Sequence, residues 1–363
     1  MNQISYETAK SAHCVAEAIN SPLNSELPTS AEMVIAKALW GYGSIPVSET
    51  CEVKCEKALE PYFKYYHQQC RLVAQLNSAV STVLASHKDL IDIAGELGKS
   101  EPAMRRSQIL DLLRTRTGSD NTELHLTILH LTARLVTMMR IGNNLTEVLE
   151  GRHVEWQDGS LESFLCGYFN PIPVLGHERI KFEKTFHALS LIRIAGLEIQ
   201  WTDNLVDHLR LVNDDRAVRV FHHATFLRHH DGRLFPPGFV SETIQTLALL
   251  FPRYNKKIRE WYGTQATQHG LDPAAPSSGH LIADERQIEN FKYWHDRLVV
   301  LKQMYDESRP STIGQWYHDR RNGVQWYTFW VAILVLFLTV FFGLVQSIEG
   351  ALQVYASFQS SHN

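Results

Sequence analysis

Residues 326–345 read WYTFWVAILVLFLTVFFGLV, and this stretch carries no charged side chain. A helix rises about 1.5 Å per residue, so roughly 20 apolar residues cross a hydrocarbon layer about 30 Å thick. In lipid the backbone must satisfy its own hydrogen bonds, which a helix does. The competing interpretation is a buried helix of a soluble core, but such helices seldom reach this length without a charge. The stretch therefore predicts one C-terminal membrane-spanning helix.

Aromatic side chains cluster at the beginning of this stretch. Trp326, Tyr327 and Trp330 lie where amphipathic rings prefer the headgroup level of a bilayer. We expect the membrane anchor to comprise these three residues together with Phe337, Phe341 and Phe342.

The charges that flank the stretch predict its orientation. Arg309, Arg320 and Arg321 precede it, whereas the tail 346–363 contains no Lys or Arg. By the positive-inside rule the large N-terminal portion is cytoplasmic and the short tail is not. Residues 1–20 show no basic segment followed by an apolar one, so we expect no cleaved secretory signal. This is the layout of a single-pass, tail-anchored protein.

Two further observations agree with a cytoplasmic N-terminal portion. The chain has five cysteines, an odd number at irregular spacing, which favours reduced thiols over a disulfide framework. The sequon at Asn144 would be glycosylated only in a luminal protein, so we expect it to be unmodified.

The composition is that of a folded protein with a large core. Of 363 residues 44% are hydrophobic and 20% are charged, and the net charge is -4. Nothing resembles the strongly basic face of a nucleic-acid-binding protein. No phosphate-binding, dinucleotide-binding or catalytic signature motif is visible, so we expect no cofactor.

Periodicity predicts a mainly α (α+β) protein: a helical N-terminal half, a small sheet with helices in the middle, and a C-terminal transmembrane helix. We divide the chain into an N-terminal segment 1–50, a helical region 51–170, an α+β region 171–262, a linker 263–280, an amphipathic and juxtamembrane helix 281–325, the transmembrane helix 326–345 and a short tail 346–363.

Several elements of this plan have local signals. TELHLTILHLTARLVTMMRI, residues 122–141, is apolar on more than one face and predicts a central core helix, capped by Asn121 or Thr122 and closed at Gly142. A helix is expected between Gly238 and Pro252, with Ser241 or Thr243 as its cap. Gly, Pro and Ser in 263–280 predict a linker or long surface loop.

Two strands and one amphipathic helix complete the prediction. Residues 197–202 alternate apolar and polar side chains, and 217–221 form a second strand candidate, with a short helix expected over 203–211. Residues 283–310 predict one amphipathic helix. Its expected buried stripe consists of Ile288, Phe291, Leu298, Leu301 and Tyr305.

Histidines and aspartates crowd the region from Asp203 to Asp231. The histidines are His208, His222, His223, His229 and His230, and the aspartates are Asp203, Asp207, Asp214, Asp215 and Asp231. Such a density can hold a metal or share protons, and His222, His223, His229 and His230 are the metal candidates. The spacing fits no ligand pattern, however. Adjacent His222 and His223 should point to opposite faces of a strand, so we predict packed or solvated histidines and no metal.

A second group of soft ligands has zinc-like pairs. Cys51 and Cys55 precede His67 and Cys70. On one helix Cys55 and His67 are about 18 Å apart along the axis, so only a chain reversal at Glu60–Pro61 could join the pairs. Buried free cysteines are the preferred interpretation.

Several blocks carry a resemblance to known proteins. FEKTFHALSLIRIAGLEIQWTDNLVDHLRL, RVFHHATFLRHH, LFPPGFVSETIQTLALLFP and the segment from RRNGVQWYTFW to the tail are similar to a group of uncharacterised, single-pass membrane-anchored proteins of filamentous fungi. The resemblance covers the second half of the chain. It implies a topology and no activity.

The tail also distantly resembles the C-terminal membrane region of CorA-like metal-ion transporters of fungi. Those proteins have two spans joined by a Gly-Met-Asn loop, whereas this sequence has one span and no such tripeptide. The resemblance implies at most a degenerate transporter-like subunit, because a pore also needs polar lining residues.

The predicted function is binding or scaffolding at a membrane. The alternatives are a membrane-tethered enzyme that uses residues 203–231 and the degenerate CorA-like subunit. The expected partners are the lipid bilayer and either other proteins or a second copy of the chain. Gly343 and Ser347 have the spacing of a helix-packing pair, but one such pair is a weak signal and ordinary lipid-facing residues are the preferred interpretation. No nucleic-acid partner is expected.

Overall fold

The structure is a computed structural model, and it describes residues 13–41, 49–76, 79–98, 103–142, 151–170, 174–176, 179–308 and 323–361. Arg309, Arg320, Arg321 and Asn144, on which the orientation and the sequon depend, lie outside the described residues. The mainly helical α+β class is confirmed, with a three-stranded sheet in the middle of the chain.

Before the sheet, the described residues form the helices α1 (Thr29–Trp40), α2 (Glu49–Leu76), α3 (His87–Leu97), α4 (Arg106–Thr117), α5 (Thr122–Thr137) and α6 (Leu161–Tyr168), together with a single turn at Val80–Val83 and a helical stretch over 13–19. The short helix α7 (Ala188–Arg193) leads into the strands β1 (Glu198–Thr202), β2 (Arg210–Val212) and β3 (Ala217–Phe221). They are followed by α8 (Ala224–His229), α9 (Phe239–Leu250), α10 (Lys256–His269), α11 (His295–Glu307) and α12 (Gly323–Ser361).

Helix α5 is the central core helix that the sequence predicts. The Asn121 side chain accepts a hydrogen bond from the backbone N–H of Leu124 and caps its start, as expected. Eleven of its residues are buried, including Ile128 and Leu131. Its end differs from the prediction: Met138 adopts a left-handed conformation with φ 51°, so the helix stops before Gly142.

The two predicted strands pair in parallel. Strand β3 lies in the centre of the sheet, with Glu198 of β1 opposite Ala217 and Thr202 opposite Phe221. The short helix expected over 203–211 is wrong, because only Leu205–Asp207 form a 3-10 turn before the chain enters β2. Strand β2 is antiparallel to β3. A three-residue strand is too short for periodicity to reveal.

The segment 263–280 differs from the linker that its composition predicts. Helix α10 runs through its first part to His269, and Gly270 with φ 67° ends that helix. Leu271, Asp272 and Ala275 are then buried. The Gly and Pro residues therefore end a helix and form a packed turn.

The starts of helices α9 and α11 also differ from those that the sequence predicts. Gly238 precedes α9 in a left-handed conformation, and the Thr243 hydroxyl donates to the carbonyl of Phe239 inside the helix, so neither Ser241 nor Thr243 is the cap. Helix α11 begins at His295 rather than near residue 283. The stripe predicted from the sequence is buried in every member, from Ile288 to Tyr305.

Helix α12 contains the apolar C-terminal stretch. Among the described residues it is the one helix long and apolar enough to cross a membrane, judged by length and composition, over Trp326–Ala356. None of its apolar window is buried against the rest of the chain. The helix itself continues past residue 345 to Ser361, so most of the segment 346–363, which we expected to be a separate tail, is helical.

Candidate functional site at the ends of the parallel strands

The parallel pairing of β1 and β3 creates the site. Thr202 and Phe221 are register partners at the ends of these strands, so Asp203 and His222 leave the sheet at the same edge. The carboxyl ends of parallel strands are where open α/β sheets commonly bind ligands. Asp203, His222 and His223 each offer one atom within 4.8 Å of the others.

Both imidazoles contact one carboxylate oxygen. Nε2 of His222 is 3.2 Å and Nε2 of His223 is 2.6 Å from Oδ1 of Asp203. The expectation that the two rings face opposite ways is wrong, because β3 ends at Phe221 and the strand alternation stops there. The ring centroids of the two histidines are 4.0 Å apart.

The protons on the rings follow from the acceptors and donors around them. A carboxylate can only accept hydrogen bonds, so both Nε2 atoms that contact Asp203 carry a proton. The backbone N–H of Asp272 donates to Nδ1 of His222 at 3.2 Å, which leaves a lone pair on that nitrogen. His222 is therefore the neutral Nε2–H tautomer.

Asp272 is itself held firmly. Its carboxylate accepts hydrogen bonds from the backbone N–H of Thr225 at 2.5 Å, from the Thr225 hydroxyl at 2.9 Å and from the N–H of Ala274 at 2.8 Å. Burial raises the pKa of Asp272, although these hydrogen bonds oppose the shift. The loop that carries the donor to His222 is thus fixed to the start of α8.

The charges of the site are set by burial and by hydrogen bonding. Burial lowers the pKa of His222 to about 4, helped by the neighbouring His223 and opposed by Asp203. For Asp203 burial acts to raise the pKa, but the hydrogen bonds from His222 and His223 outweigh it and hold the pKa well below its usual range. Near neutral pH the site is an ionised Asp203 beside a neutral His222.

Asp203 is accessible while its partners are not. The side chain of Asp203 is 45% exposed, whereas those of His222 and His223 are 5% and 1% exposed. No hydrogen bond to Oδ2 of Asp203 is formed by any residue within the described ranges. Trp201, the second-last residue of β1, packs its ring on His222 and on Trp261.

A metal ion fits this arrangement poorly. Metal bound at Nε2 of neutral His222 requires the ring proton on Nδ1, where the N–H of Asp272 already points. Two donors would then face each other, whereas a metal-bound histidine normally donates its second N–H to an acceptor. The donor set of Asp203, His222 and His223 is better explained as a carboxylate held by two N–H groups.

The other two metal candidates lie elsewhere. His229 is the last residue of α8, and Nδ1 of His230 accepts the backbone N–H of Gly232 at 2.9 Å in the turn that follows. Neither joins the group formed by Asp203. The structure therefore brings together two of the four predicted histidines.

The zinc-like pairs are not brought together either. Helix α2 is continuous through Pro61, so the reversal that would join Cys55 to His67 does not occur. Cys70 is a buried free thiol, and burial raises its pKa to about 12.

The sequence pattern missed the residues that organise the site. Asp203 is one aspartate among several in its region, and Asp272 lies in the segment whose composition predicts a linker. No local signal marks Asp272, because its backbone N–H donates a hydrogen bond to His222, which lies 50 positions earlier in the sequence.

No family model, curated protein or solved structure matches the chain.

Proposed function

We propose that this chain is a binding protein held at a membrane by α12. The observation that carries the proposal is the exposure of the apolar helix from Trp326 to Ala356. Of the six anchor residues predicted from the sequence, Tyr327, Phe337, Phe341 and Phe342 are between 50% and 68% exposed. Exposed apolar surface of this extent is unfavourable in water and favourable in lipid.

The length of α12 fits a span with a helical extension. About 20 residues, 326–345, suffice for the hydrocarbon layer. Glu349 lies four positions beyond Val345, which places its carboxylate about 6 Å further along the axis, at headgroup level. The remaining turns to Ser361 continue the same helix.

The soluble portion supports binding better than acid–base catalysis. A general base works best with a pKa near the operating pH. The pKa of His222 is about 4 and that of Asp203 is held below its usual range, so neither changes charge near pH 7. A fixed, accessible negative charge, with an Oδ2 that accepts no hydrogen bond from the described residues, is suited to hold a cationic group of a ligand or partner.

The orientation that we propose keeps this site in the cytoplasm. Arg309, Arg320 and Arg321 precede the span, and no Lys or Arg follows it. Translocating the last residues moves one carboxylate side chain, that of Glu349, across the bilayer. Translocating residues 1–325 would instead move more than three hundred residues across the bilayer.

Anchoring is tested by carbonate extraction of the full-length protein. We expect the wild type to stay in the membrane pellet and a protein lacking residues 326–363 to be soluble. A double variant, Leu336→Lys and Phe337→Lys, should also be extracted, because each charge at the centre of a span costs roughly 3 kcal/mol. The matched control, Gln353→Lys and Gln359→Lys, places the same charges beyond the hydrocarbon layer and should stay in the pellet.

Recovery of the wild type in the soluble fraction would refute the anchor. Equal behaviour of the two double variants would show that α12 is not held by its apolar centre.

Orientation is tested with Gln359→Asn, which completes a glycosylation sequon with Ser361. We expect a glycan on the tail, none on Asn144, and digestion of the N-terminal portion when protease is added to sealed microsomes. A glycan on Asn144 with an unmodified tail would show the inverted orientation.

A further inference from the structure

A second ionic cluster surrounds the buried carboxylate of Asp207, four positions after Asp203. Nη1 of Arg210 is 2.8 Å from Oδ1 of Asp207, and Nη1 of Arg219 is 3.2 Å from Oδ2. The backbone N–H of Arg152 is 3.2 Å from both oxygens. Asp207 is fully buried, so its charge is compensated from several sides.

The close approach of Arg152 depends on Gly151. Its φ is 132°, and a Cβ added there would lie 2.6 Å from Oδ2 of Asp207 and 2.7 Å from Nη1 of Arg140. Any larger residue would therefore push the chain away from the carboxylate. Leu209, two positions after Asp207, also has a positive φ, of 59°. Backbone strain of this kind is tolerated where the surrounding structure fixes the geometry.

A further guanidinium, that of Arg297, flanks Asp207 and forms no ion pair with a carboxylate of the described residues. Nη1 of Arg297 donates to the carbonyl of Val206 at 2.8 Å and to that of His208 at 2.5 Å. The same guanidinium lies 5.2 Å from the ring centre of Trp294. Trp294 packs on Phe169, which packs on Tyr168, so the phenol ring belongs to the same corner.

Among the described residues, the guanidinium groups of Arg152, Arg210 and Arg297 share one neighbouring carboxylate, that of Asp207. Within the described ranges, Asp207 is the carboxylate that contacts Arg210, and no ion pair is formed by the side chain of Arg152 or of Arg297. Arg152 is exposed, and the Arg210 side chain is 39% exposed, so an ion from solvent can reach both.

The pKa shifts of Arg297 and Tyr168 are consistent with Arg152, Arg210 and Arg297 lying close together. Burial lowers the pKa of Arg297, and Arg152 and Arg210 lower it further, although Tyr168 and Asp207 act against them. Burial raises the pKa of Tyr168, while Arg152 and Arg297 lower it. Arg152 and Arg210 thus act on Arg297 as like charges, and an anion beside Arg297 would relieve that repulsion.

We propose that Arg152, Arg210, Arg297 and Tyr168 form a binding site for a phosphomonoester dianion. Planar guanidinium groups bind phosphate oxygens with paired hydrogen bonds. A phosphomonoester carries two charges and three acceptor oxygens, so it can accept hydrogen bonds from Arg152, Arg210 and Arg297 at once. A ligand with a single carboxylate has one charge and two acceptor oxygens. The Tyr168 hydroxyl, which has no hydrogen-bond partner among the described residues, adds a neutral donor.

The test titrates inorganic phosphate into the full chain in a nonionic detergent at constant ionic strength and measures the heat of binding. We expect saturable binding and an affinity about tenfold lower in Arg152→Gln, because one charge-assisted contact is lost. Arg210→Gln should weaken binding as well. The matched control, Arg259→Gln on the exposed face of α10, should bind like the wild type.

Two soluble lipids distinguish the source of the phosphomonoester. Tighter binding of dihexanoyl phosphatidic acid than of inorganic phosphate, lost in Arg152→Gln, supports the site and identifies a lipid headgroup. Equal affinity for the two, also lost in Arg152→Gln, supports the site and identifies a free phosphomonoester. Dihexanoyl phosphatidylcholine, a diester, should not compete.

Three outcomes would overturn the proposal: no saturable heat with either phosphate compound, the same affinity in Arg152→Gln, Arg210→Gln and Arg259→Gln, or binding of a glutamate-rich peptide in preference to phosphate. None of these bears on the membrane anchor, which carbonate extraction tests separately.

Discussion

The backbone N–H of Asp272 lies 3.2 Å from Nδ1 of His222 and donates to it. This single bond decides how the site is protonated. It places the proton of neutral His222 on Nε2, opposite Asp203, and it disfavours a metal ion at the same nitrogen.

The first prediction concerns the tautomer of His222. In histidine-labelled protein, long-range proton–nitrogen spectra should show the Nε2–H tautomer near pH 7 and protonation only near pH 4, the pKa set by burial. His222→Gln identifies the signal. A midpoint close to 6.5, or an Nδ1–H tautomer, would contradict the geometry.

Metal content is the second prediction. Replacing His222, His223, His229 or His230 one at a time should release no stoichiometric metal from the purified full chain, because the ring N–H groups near Asp203 already donate hydrogen bonds to its carboxylate. Elemental analysis measures this directly. About one equivalent of zinc that disappears with His222→Gln or His223→Gln would establish a metal site.

The third prediction is the effect of Asp203→Asn on stability. The loss of a charged acceptor for two hydrogen bonds should cost about 1–2 kcal/mol at pH 7, a value reduced because Asp203 is half-exposed. The folded-state pKa lies below the unfolded-state pKa, so this stabilisation is present above about pH 4 and is lost as the pH falls further.

Urea unfolding of the wild type and of Asp203→Asn, followed by tryptophan fluorescence, measures that difference. It should be smaller at pH 3 than at pH 7. Asp284→Asn, at an exposed position, is the matched control and should match the wild type at both pH values. A difference that grows on acidification would show that the pKa of Asp203 is raised instead.

The fourth prediction concerns Asp207→Asn. This change leaves Arg210 and Arg219 without the charge of their common buried partner, and we expect a loss of about 3–5 kcal/mol in the free energy of unfolding. Asp215→Asn, in the exposed turn before β3, should change it by less than about 0.5 kcal/mol. Similar urea midpoints for the two variants would show that Asp207 does not hold the cluster together.

Much of the secondary structure could be predicted from local patterns. The alternation in 197–202 and the apolar run 217–221 gave β1 and β3, and Asn121 marked the start of α5. The buried stripe from Ile288 to Tyr305 was also correct. These features depend on which side chains face the core and on hydrogen bonds between residues within one helical turn. The spacing of neighbouring residues in the sequence indicates both.

The sequence by itself determined the mainly helical α+β class and one C-terminal helix apolar enough to cross a membrane, because composition and period report burial directly. Only the tertiary structure decided that β1 and β3 run parallel, that His222 and His223 meet on Asp203, and that Asp272 reaches His222 from a segment resembling a linker. Strand direction, and contacts between residues 20 or 50 positions apart, depend on how separate segments pack against each other. The local periodicity of the sequence carries no information about that packing.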